Sequence, residues 1–210
     1  VLVVGPNRLF LAYIEQVLPS LGEAGVEMAS LGDLVGGVRI EDHRDPEEVS
    51  RLKGDLRMVK FLARSAKIRQ RPLREDFRIG YGVKWLTVSA EETTRIVAEA
   101  RRRFRTHNAA RRFVEAEFYS ALASSIHEDP DAGRVADRLR GDLAVREALE
   151  WMWPVLSPAQ LLNDLFGSQA LIRAADPSLT DDEVKSLHRP RAAVSEDVSW
   201  SASDGPLLDE

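Results

Sequence analysis

The order of apolar and polar residues changes along the chain, and its first part has an α/β pattern. The chain opens with the uninterrupted apolar run Val1 to Val4, which is typical of a strand buried on both faces of a parallel sheet. Asn7 can then cap a helix that has one apolar face. Residues 26–29 predict a second short strand, so this part corresponds to half of an α/β lobe.

The middle of the chain predicts helices and one hairpin. Pro46 is followed by two acidic residues, which favour the first turn of a helix, and an amphipathic helical pattern continues to Gln70. The segments on the two sides of Gly82 alternate between apolar and polar side chains. This alternation around a glycine predicts a β-hairpin over residues 77–88.

Helix-capping motifs recur in the second half of the chain. Ser89 and Thr180 each stand three residues before a glutamate, which is a capping box, and Ser157 precedes a proline suited to the first helical position. Glycines and prolines separate the apolar-periodic segments of residues 106–189, which predicts successive helices with short breaks. Residues 190–205 are rich in Ser, Ala and Asp and predict a linker that returns to the sheet.

These patterns predict a mainly α fold with a small α/β part. An incomplete parallel sheet of two or three strands carries a helical insertion. The predicted divisions are residues 1–40 for the first part of the α/β lobe, 41–195 for the mostly helical insertion and 196–210 for the return to the lobe. Both ends of the chain lie at apolar runs, so we expect it to be a piece of a larger protein.

Composition excludes several classes of site. The chain has 210 residues, of which 44% are hydrophobic and 30% charged, and this balance is usual for a globular protein. It has no Cys, hence no disulfide and no thiolate metal site, and its four His are too scattered to indicate a zinc site. No apolar run approaches the roughly 18 residues of a membrane span, so we expect no membrane partner and a cytoplasmic location.

The last six residues carry the sharpest chemical signal. A short apolar run ends in Asp209-Glu210, which is what an NTPase needs at the tip of a buried parallel strand formed by residues 206–208. Asp209 could then hold Mg²⁺ through water, and Glu210 could orient or deprotonate the water that attacks the γ-phosphate. A solvated acidic terminus is the alternative, and the residues alone leave it open.

A cluster of basic residues stands out in a chain whose net charge is −5. Six arginines occur within twelve residues, and such a cluster can bind phosphate groups. A solvated helix end is the alternative, since cations there complement the helix dipole. Both interpretations stay open for these six residues, which are Arg101, Arg102, Arg103, Arg105, Arg111 and Arg112.

Taken together, the two ends resemble one family. Residues 1–22 (VLVVGPNRLFLAYIEQVLPSLG) look like the segment after the Walker A helix in HelD-type proteins. These are superfamily 1 helicase relatives, similar to UvrD and Rep, that act on bacterial RNA polymerase. Residues 30–34 (SLGDL) also resemble this family, and residues 200–210 (WSASDGPLLDE) look like its Walker B segment. The helical middle resembles the family's insertion within the first RecA-like lobe, through pieces such as Trp153-Pro154.

The resemblance implies roles for residues at both ends. Asp209 would hold Mg²⁺ and Glu210 would activate water during ATP hydrolysis by the intact protein, and Ser30 is near motif Ib, a contact to the nucleic-acid backbone. The insertion implies contact with RNA polymerase in the bacterial cytoplasm. Motif Ia, which faces single-stranded nucleic acid in superfamily 1 helicases, corresponds to Gly5, Pro6, Asn7 and Phe10.

The chain also departs from the family's pattern. It contains no Gly-x-x-x-x-Gly-Lys-Ser/Thr motif, and it lacks the second RecA-like lobe with its arginine finger. Positioning and charge neutralisation supply nearly all of the catalysis in phosphoryl transfer. We therefore expect no ATP hydrolysis by this chain alone, and no ATP or Mg²⁺ bound to it.

A non-catalytic helical module, for protein interaction or nucleic-acid binding, is the alternative function. The placement of residues 1–4 and 206–209 separates the two functions. If both segments are strands of one sheet, the helicase-like motor that the resemblance implies is favoured. A disordered tail beside a self-contained helical core favours the module. An incomplete sheet exposes unpaired edges, so self-association through those edges is a further expectation.

Overall fold

The computed structural model of the chain describes residues 2–5, 8–18, 25–30, 40–41, 44–126 and 131–209. Its four strands are β1 (Leu2–Gly5), β2 (Glu27–Ser30), β3 (Phe77–Tyr81) and β4 (Lys84–Val88). Its helices are α1 (Arg8–Val17), α2 (Glu47–Lys53), α3 (Arg57–Ile68), α4 (Ala90–Arg103), α5 (Arg111–Ser124), α6 (Ala132–Leu139), α7 (Leu143–Met152), α8 (Pro158–Phe166), α9 (Gln169–Ala175), α10 (Asp181–Leu187) and α11 (Gly205–Asp209). The predicted mainly α fold with a small α/β part is confirmed.

The chain forms two compact units. Unit 1 contains the described residues within 1–65 and 157–210, and unit 2 contains those within 66–156. Unit 1 is therefore discontinuous in sequence and holds the parallel strands, whereas unit 2 holds the antiparallel pair. Unit 2 falls inside the predicted insertion of residues 41–195.

The predicted strand–helix–strand pattern is present at the start of unit 1. Strands β1 and β2 pair in parallel, with Leu2 beside Glu27 and Gly5 beside Ser30. Helix α1 connects them and packs close to the end of β1. A Cβ atom on Gly5 would lie only 2.6 Å from Cδ2 of Leu11, so glycine at this position permits the close approach of helix and strand.

The expected burial of β1 on both faces is wrong. Leu2 and Val4, which share one face of the strand, are 51% and 46% exposed, while Gly5 is buried under α1 on the other face. Within the described residues β1 pairs with β2 alone. An apolar run indicates what a strand can bury, but neighbours and covering helices decide whether it is buried.

The predicted strand at residues 206–208 is also wrong, because these residues lie in helix α11. The carbonyl oxygen of Asp204 accepts hydrogen bonds from the amides of Leu207 at 3.0 Å and Leu208 at 3.1 Å. Pro206 suits a first helical turn, since its missing N–H would have no intrahelical partner there. A short apolar run is compatible with either structure, and here the helix forms.

A parallel bridge adds a second pairing to the described residues of unit 1. Ile40 and Trp200 form an isolated parallel bridge, in which the amide of Glu41 donates to the carbonyl oxygen of Trp200 at 2.9 Å. Residues 190–205 were predicted to return to the sheet, but Trp200 pairs with Ile40 in an isolated bridge that is not part of the β1–β2 sheet. The side chain of Trp200 is 1% exposed.

Of the predicted helix caps, those at Ser89, Ser157 and Thr180 are observed, whereas Asn7 lies outside the described residues. The Ser157 and Thr180 capping boxes are complete. The side chains of Gln160 and Glu183 accept hydrogen bonds from the backbone amides of the two cap residues. The Ser89 hydroxyl accepts from the amide of residue 92 at 3.1 Å, but the carboxylate there pairs with Arg95 rather than closing the box. Each cap satisfies amides that a helix N-terminus leaves without partners.

The predicted hairpin of unit 2 is confirmed. Strands β3 and β4 are antiparallel, with Ile79 beside Leu86, and Gly82 turns the chain with a φ of 65° that favours glycine. The inner face of the hairpin packs with α4 to α7 around one apolar core whose largest members include Phe118 and Trp153. Among the described residues, no helix has the length and apolar content needed to cross a bilayer.

Candidate functional site

The residues predicted to contact nucleic acid lie at the carboxyl ends of the parallel strands. Gly5 and Ser30 are register partners, so the last residues of β1 and β2 stand side by side. Ligands of open α/β sheets bind at this edge. Phe10 follows on α1 with 44% of its surface exposed. Pro6 and Asn7 lie outside the described residues.

The predicted acidic pair is at the far end of the chain. Asp209 is the last residue of α11, and Glu210 lies outside the described residues. The assignment of Mg²⁺ to Asp209 and of water activation to Glu210 stays a prediction. Within the described ranges, no group of three or more His, Asp or Glu is arranged to hold a metal ion.

A buried ion network, which the sequence did not predict, lies just before α11. Nζ of Lys53 is 2.6 Å from Oδ2 of Asp45 and 2.8 Å from Oδ1 of Asp204. The other carboxylate oxygen of Asp204 accepts from Nη1 of Arg189 at 2.9 Å and from the amide of Ser201 at 3.0 Å. Two acids and two bases thus meet in unit 1, and their formal charges cancel.

Serine hydroxyls add hydrogen bonds to this network. The Ser201 hydroxyl contacts Oδ2 of Asp45 at 2.6 Å and Oδ2 of Asp204 at 3.1 Å, and the Ser203 hydroxyl also donates to Asp45. The side chains of Asp204 and Lys53 are 0% and 4% exposed. Charges this deeply buried are tolerated only when they are paired and hydrogen-bonded.

The network lowers the pKa of both of its acids. Burial alone would raise the pKa of Asp45, but hydrogen bonds from Lys53, Ser201 and Ser203 outweigh it and lower that pKa to about 2. Burial would likewise raise the pKa of Asp204, and attraction to Lys53 and Arg189 reverses the shift to a lowered pKa. Both carboxylates are therefore ionised at neutral pH.

Aromatic rings enclose the basic members of the network. Nζ of Lys53 lies 5.8 Å from the ring centroid of Phe166. The Arg189 guanidinium lies 5.1 Å from the same ring and 4.6 Å from that of Trp200. These rings exclude water and attract the cations through their faces, so the network is both desolvated and specifically oriented.

The network and the bridge together join two distant parts of the sequence. Lys53 and Asp45 come from residues 40–53, whereas Arg189 and Asp204 come from residues 189–204. No local spacing rule relates residues about 150 positions apart, and residues 190–205 looked like a linker by composition. The one available signal was Asp204 itself, an acid just before Gly-Pro where a helix N-cap is favoured.

The structure divides the predicted arginine cluster among different partners. Glu99 pairs with both Arg102 and Arg103, which lowers the pKa of Glu99 to about 2 through hydrogen bonds from these arginines. Arg111 pairs with Glu115 and Glu150. Arg101 donates to the carbonyl oxygens of Lys67 and Gln70. Arg105 and Arg112 are exposed, and phosphate binding by the six stays a prediction.

Comparison with known proteins adds no assignment. The chain matches no protein-family sequence model and no curated protein. The geometry of unit 1 and the surface of unit 2 therefore carry the functional argument.

Proposed function

We propose that the chain is part of a helicase-like, ATP-dependent motor of superfamily 1 that remodels or recycles bacterial RNA polymerase complexes. Unit 1 would belong to the first RecA-like lobe, and the helical insertion would contact the polymerase. In the intact protein, which would act in the bacterial cytoplasm, Asp209 would hold Mg²⁺ and Glu210 would activate the water that attacks ATP. Single-stranded nucleic acid would pass the edge formed by Gly5 and Ser30.

The parallel bridge between Ile40 and Trp200 is the observation that carries this proposal. Parallel pairing requires a crossover connection, and here the connection is the whole segment predicted to be an insertion. The Ser199 hydroxyl also donates to the carboxylate of Glu41 across 158 positions of sequence. A segment that leaves and re-enters at neighbouring points is what an insertion into an existing lobe requires.

The parallel strands of unit 1 support the same proposal. Its parallel strands end with Gly5 and Ser30 side by side, and these two residues come from motifs Ia and Ib of the resemblance. Both motifs contact one nucleic-acid strand in superfamily 1 helicases, so their residues need to be neighbours. The helix at residues 205–209 is not the strand that the motor predicts, so the placement of residues 1–4 and 206–209 as two strands of one sheet, which would favour the motor, is not observed.

The alternative function, a non-catalytic helical interaction or nucleic-acid-binding module, is favoured by a different observation. Unit 2 closes its own apolar core, which includes Val114, Phe118 and Leu122 at 0% exposure. A unit with a complete core can act as a binding module without a motor.

Binding to RNA polymerase and ATP turnover test the proposal. We expect the chain to bind immobilised bacterial core RNA polymerase at 0.3 M salt, where weak surface electrostatics are screened, and to hydrolyse no ATP above the buffer rate. A well-folded chain that fails to bind polymerase would contradict the proposed partner. Turnover of ATP by the purified chain would contradict the expectation that this chain lacks a phosphate-binding site.

The coding sequence around this segment provides an independent test of the motor. We expect the reading frame to encode a Gly-x-x-x-x-Gly-Lys-Thr loop shortly before Val1. A start codon at that position would leave the helical module as the better explanation.

A further inference from the structure

Unit 2 has a surface on which arginines lie over tryptophan rings, and we name it the Arg–Trp surface. The guanidinium carbons of Arg71 and Arg74 lie 3.7 Å and 4.9 Å from the ring centroid of Trp151. That of Arg78 lies 4.7 Å from the ring centroid of Trp85. Three cations thus lie over two aromatic rings of unit 2.

The charges of this surface are available to an anion. Within the described part of the chain, Arg71, Arg74 and Arg78 form no ion pair with a carboxylate, in contrast to Arg95 and Arg102 of the same unit, which do. Unit 2 contains 17 Lys and Arg against 14 Asp and Glu, a net charge of +3, whereas the rest of the chain carries −8. The positive charge of the protein is therefore concentrated in the unit that bears this surface.

A groove runs beside the first ring of the Arg–Trp surface. It has a volume of about 380 Å³ and is lined by Leu73, Arg74, Glu75, Asp76, Phe77 and Trp151. Oδ1 of Asp76 accepts from the amide of Ala90 at 2.9 Å, so this carboxylate is already engaged at the N-terminus of α4. The Cα atoms of Arg74 and Arg78 are at most about 14 Å apart, because only four residues separate them.

The second ring lies on the outer face of the hairpin. Trp85 is 57% exposed although Arg78 lies over it, and its cross-strand partner is Gly80. A Cβ atom added to Gly80 would meet no atom within 4 Å, so the space beside this ring is open. The opposite face of the hairpin bears Ile79 and Leu86, which are buried in the core.

We propose that the Arg–Trp surface binds single-stranded nucleic acid. Bases stack on exposed aromatic rings without regard to sequence, and neighbouring arginines neutralise the phosphates between them. An acidic protein segment would use the arginines but would have no use for an exposed tryptophan ring beside an open space. This surface shares no residue with the Arg101–Arg112 cluster or with Gly5 and Ser30, and the inference does not rest on the proposed motor.

Titration of a fluorescein-labelled 20-nucleotide oligo(dT) with the full chain tests this inference by anisotropy. We expect Trp85→Ala to raise the Kd about 5- to 100-fold, which is the usual worth of one base–aromatic stack. The slope of log K against log salt should be about −2 for the three arginines, at roughly 0.7 per phosphate on single strands. Arg78→Glu should raise the Kd and make that slope shallower by about 0.7.

Two exposed residues of the same unit provide matched controls. Arg146→Glu makes the same change of charge, and Leu143→Ala removes an apolar side chain that is 67% exposed; neither should change the Kd more than twofold. The inference is overturned if oligo(dT) does not bind at 20 mM salt, or if the controls weaken binding as much as the Arg–Trp variants. It is also overturned if Trp85→Ala binds normally while polyphosphate or polyglutamate competes as well as oligo(dT).

Discussion

The two units bury different kinds of side chain. Among the described residues of unit 2, Thr93 is the one buried polar side chain, and the rest of its core is apolar. Unit 1 buries Lys53, Asp204 and Asp176 as well as apolar groups. Removing charges from water costs free energy that their attraction repays only when the geometry is good, so the buried charges of unit 1 contribute less to stability than an apolar core would.

The difference shows where each unit depends on a specific geometry. An apolar core tolerates changes that keep its volume, whereas the network of Asp45, Lys53, Arg189 and Asp204 allows one arrangement of residues 40–53 against residues 189–204. We infer that unit 1 is fixed by pairing and unit 2 by packing. Substitutions in the two units should therefore lower the stability of the protein in different ways.

Removing Asp204 should give the largest effect. Asp204→Ala leaves the partly buried Arg189 without a carboxylate and the buried Lys53 with Asp45 alone, and breaking a buried pair in this way costs about 3–5 kcal/mol. Urea denaturation followed by circular dichroism measures the loss. Asp181→Ala is the control, since its carboxylate is 74% exposed in the pair with Arg173 and such pairs contribute about 0–1 kcal/mol.

A second substitution separates pairing from packing. Adding Arg189→Met to Asp204→Ala removes the charge that has lost its carboxylate, while Lys53 keeps its pair with Asp45, so we expect the double variant to be more stable than Asp204→Ala. Phe118→Ala in unit 2 should cost a similar amount, about 3–5 kcal/mol, through a cavity, and no removal of charge should repair it. A double variant less stable than the single one would contradict fixation by pairing.

Acid should weaken unit 1 through Asp45, with a smaller effect. Its pKa is about 2 in the folded chain against an ordinary value of 3.8, so the unfolded state takes up a proton first as the pH falls. The stabilisation is complete above about pH 4 and is lost between about pH 4 and pH 2, and the shift corresponds to about 2 kcal/mol. Denaturation midpoints between pH 6 and pH 2 should show this slope, and Asp45→Asn should flatten it.

The helix caps should give the smallest effects. Thr180→Ala removes the hydroxyl that accepts from the amide of Glu183 in a complete capping box of unit 1 and should cost about 1 kcal/mol. Ser89→Ala in unit 2 removes a cap whose box is not closed, so we expect a smaller loss. Equal losses in urea denaturation would show that the additional contact of the Thr180 hydroxyl with the Glu183 carboxylate adds nothing measurable.

Local signals predicted most of the secondary structure. Gly82 between alternating segments gave the hairpin, and Ser157 and Thr180 gave helix starts, because turns and caps depend on residues only a few positions apart. The apolar run at residues 206–208 led to the wrong prediction of a strand, since a run this short fits a strand or a helix. The exposure of Leu2 and Val4 was missed because burial depends on neighbours that the run itself does not specify.

Long-range features could not be predicted in the same way. The pairing of Lys53 with Asp204 joins α2 to a segment that looked like a linker, and no periodicity connects the two. The arginine cluster was visible as a run, but the run did not reveal that Glu99 and Glu115 take several of its members. The arginine–tryptophan pairs were also missed, because no spacing rule relates Arg71 and Arg74 to Trp151, which lies about 80 positions away.

The bridge between Ile40 and Trp200 has a consequence for biosynthesis. All of unit 2 is synthesised before Arg189, so its helices and hairpin can fold before unit 1 is complete. Lys53 pairs with the nearby Asp45, but its second partner, Asp204, is added about 150 residues later. The assembly of unit 1 is thus a late event, and a chain truncated before residue 189 should carry a folded unit 2 and an unfinished unit 1.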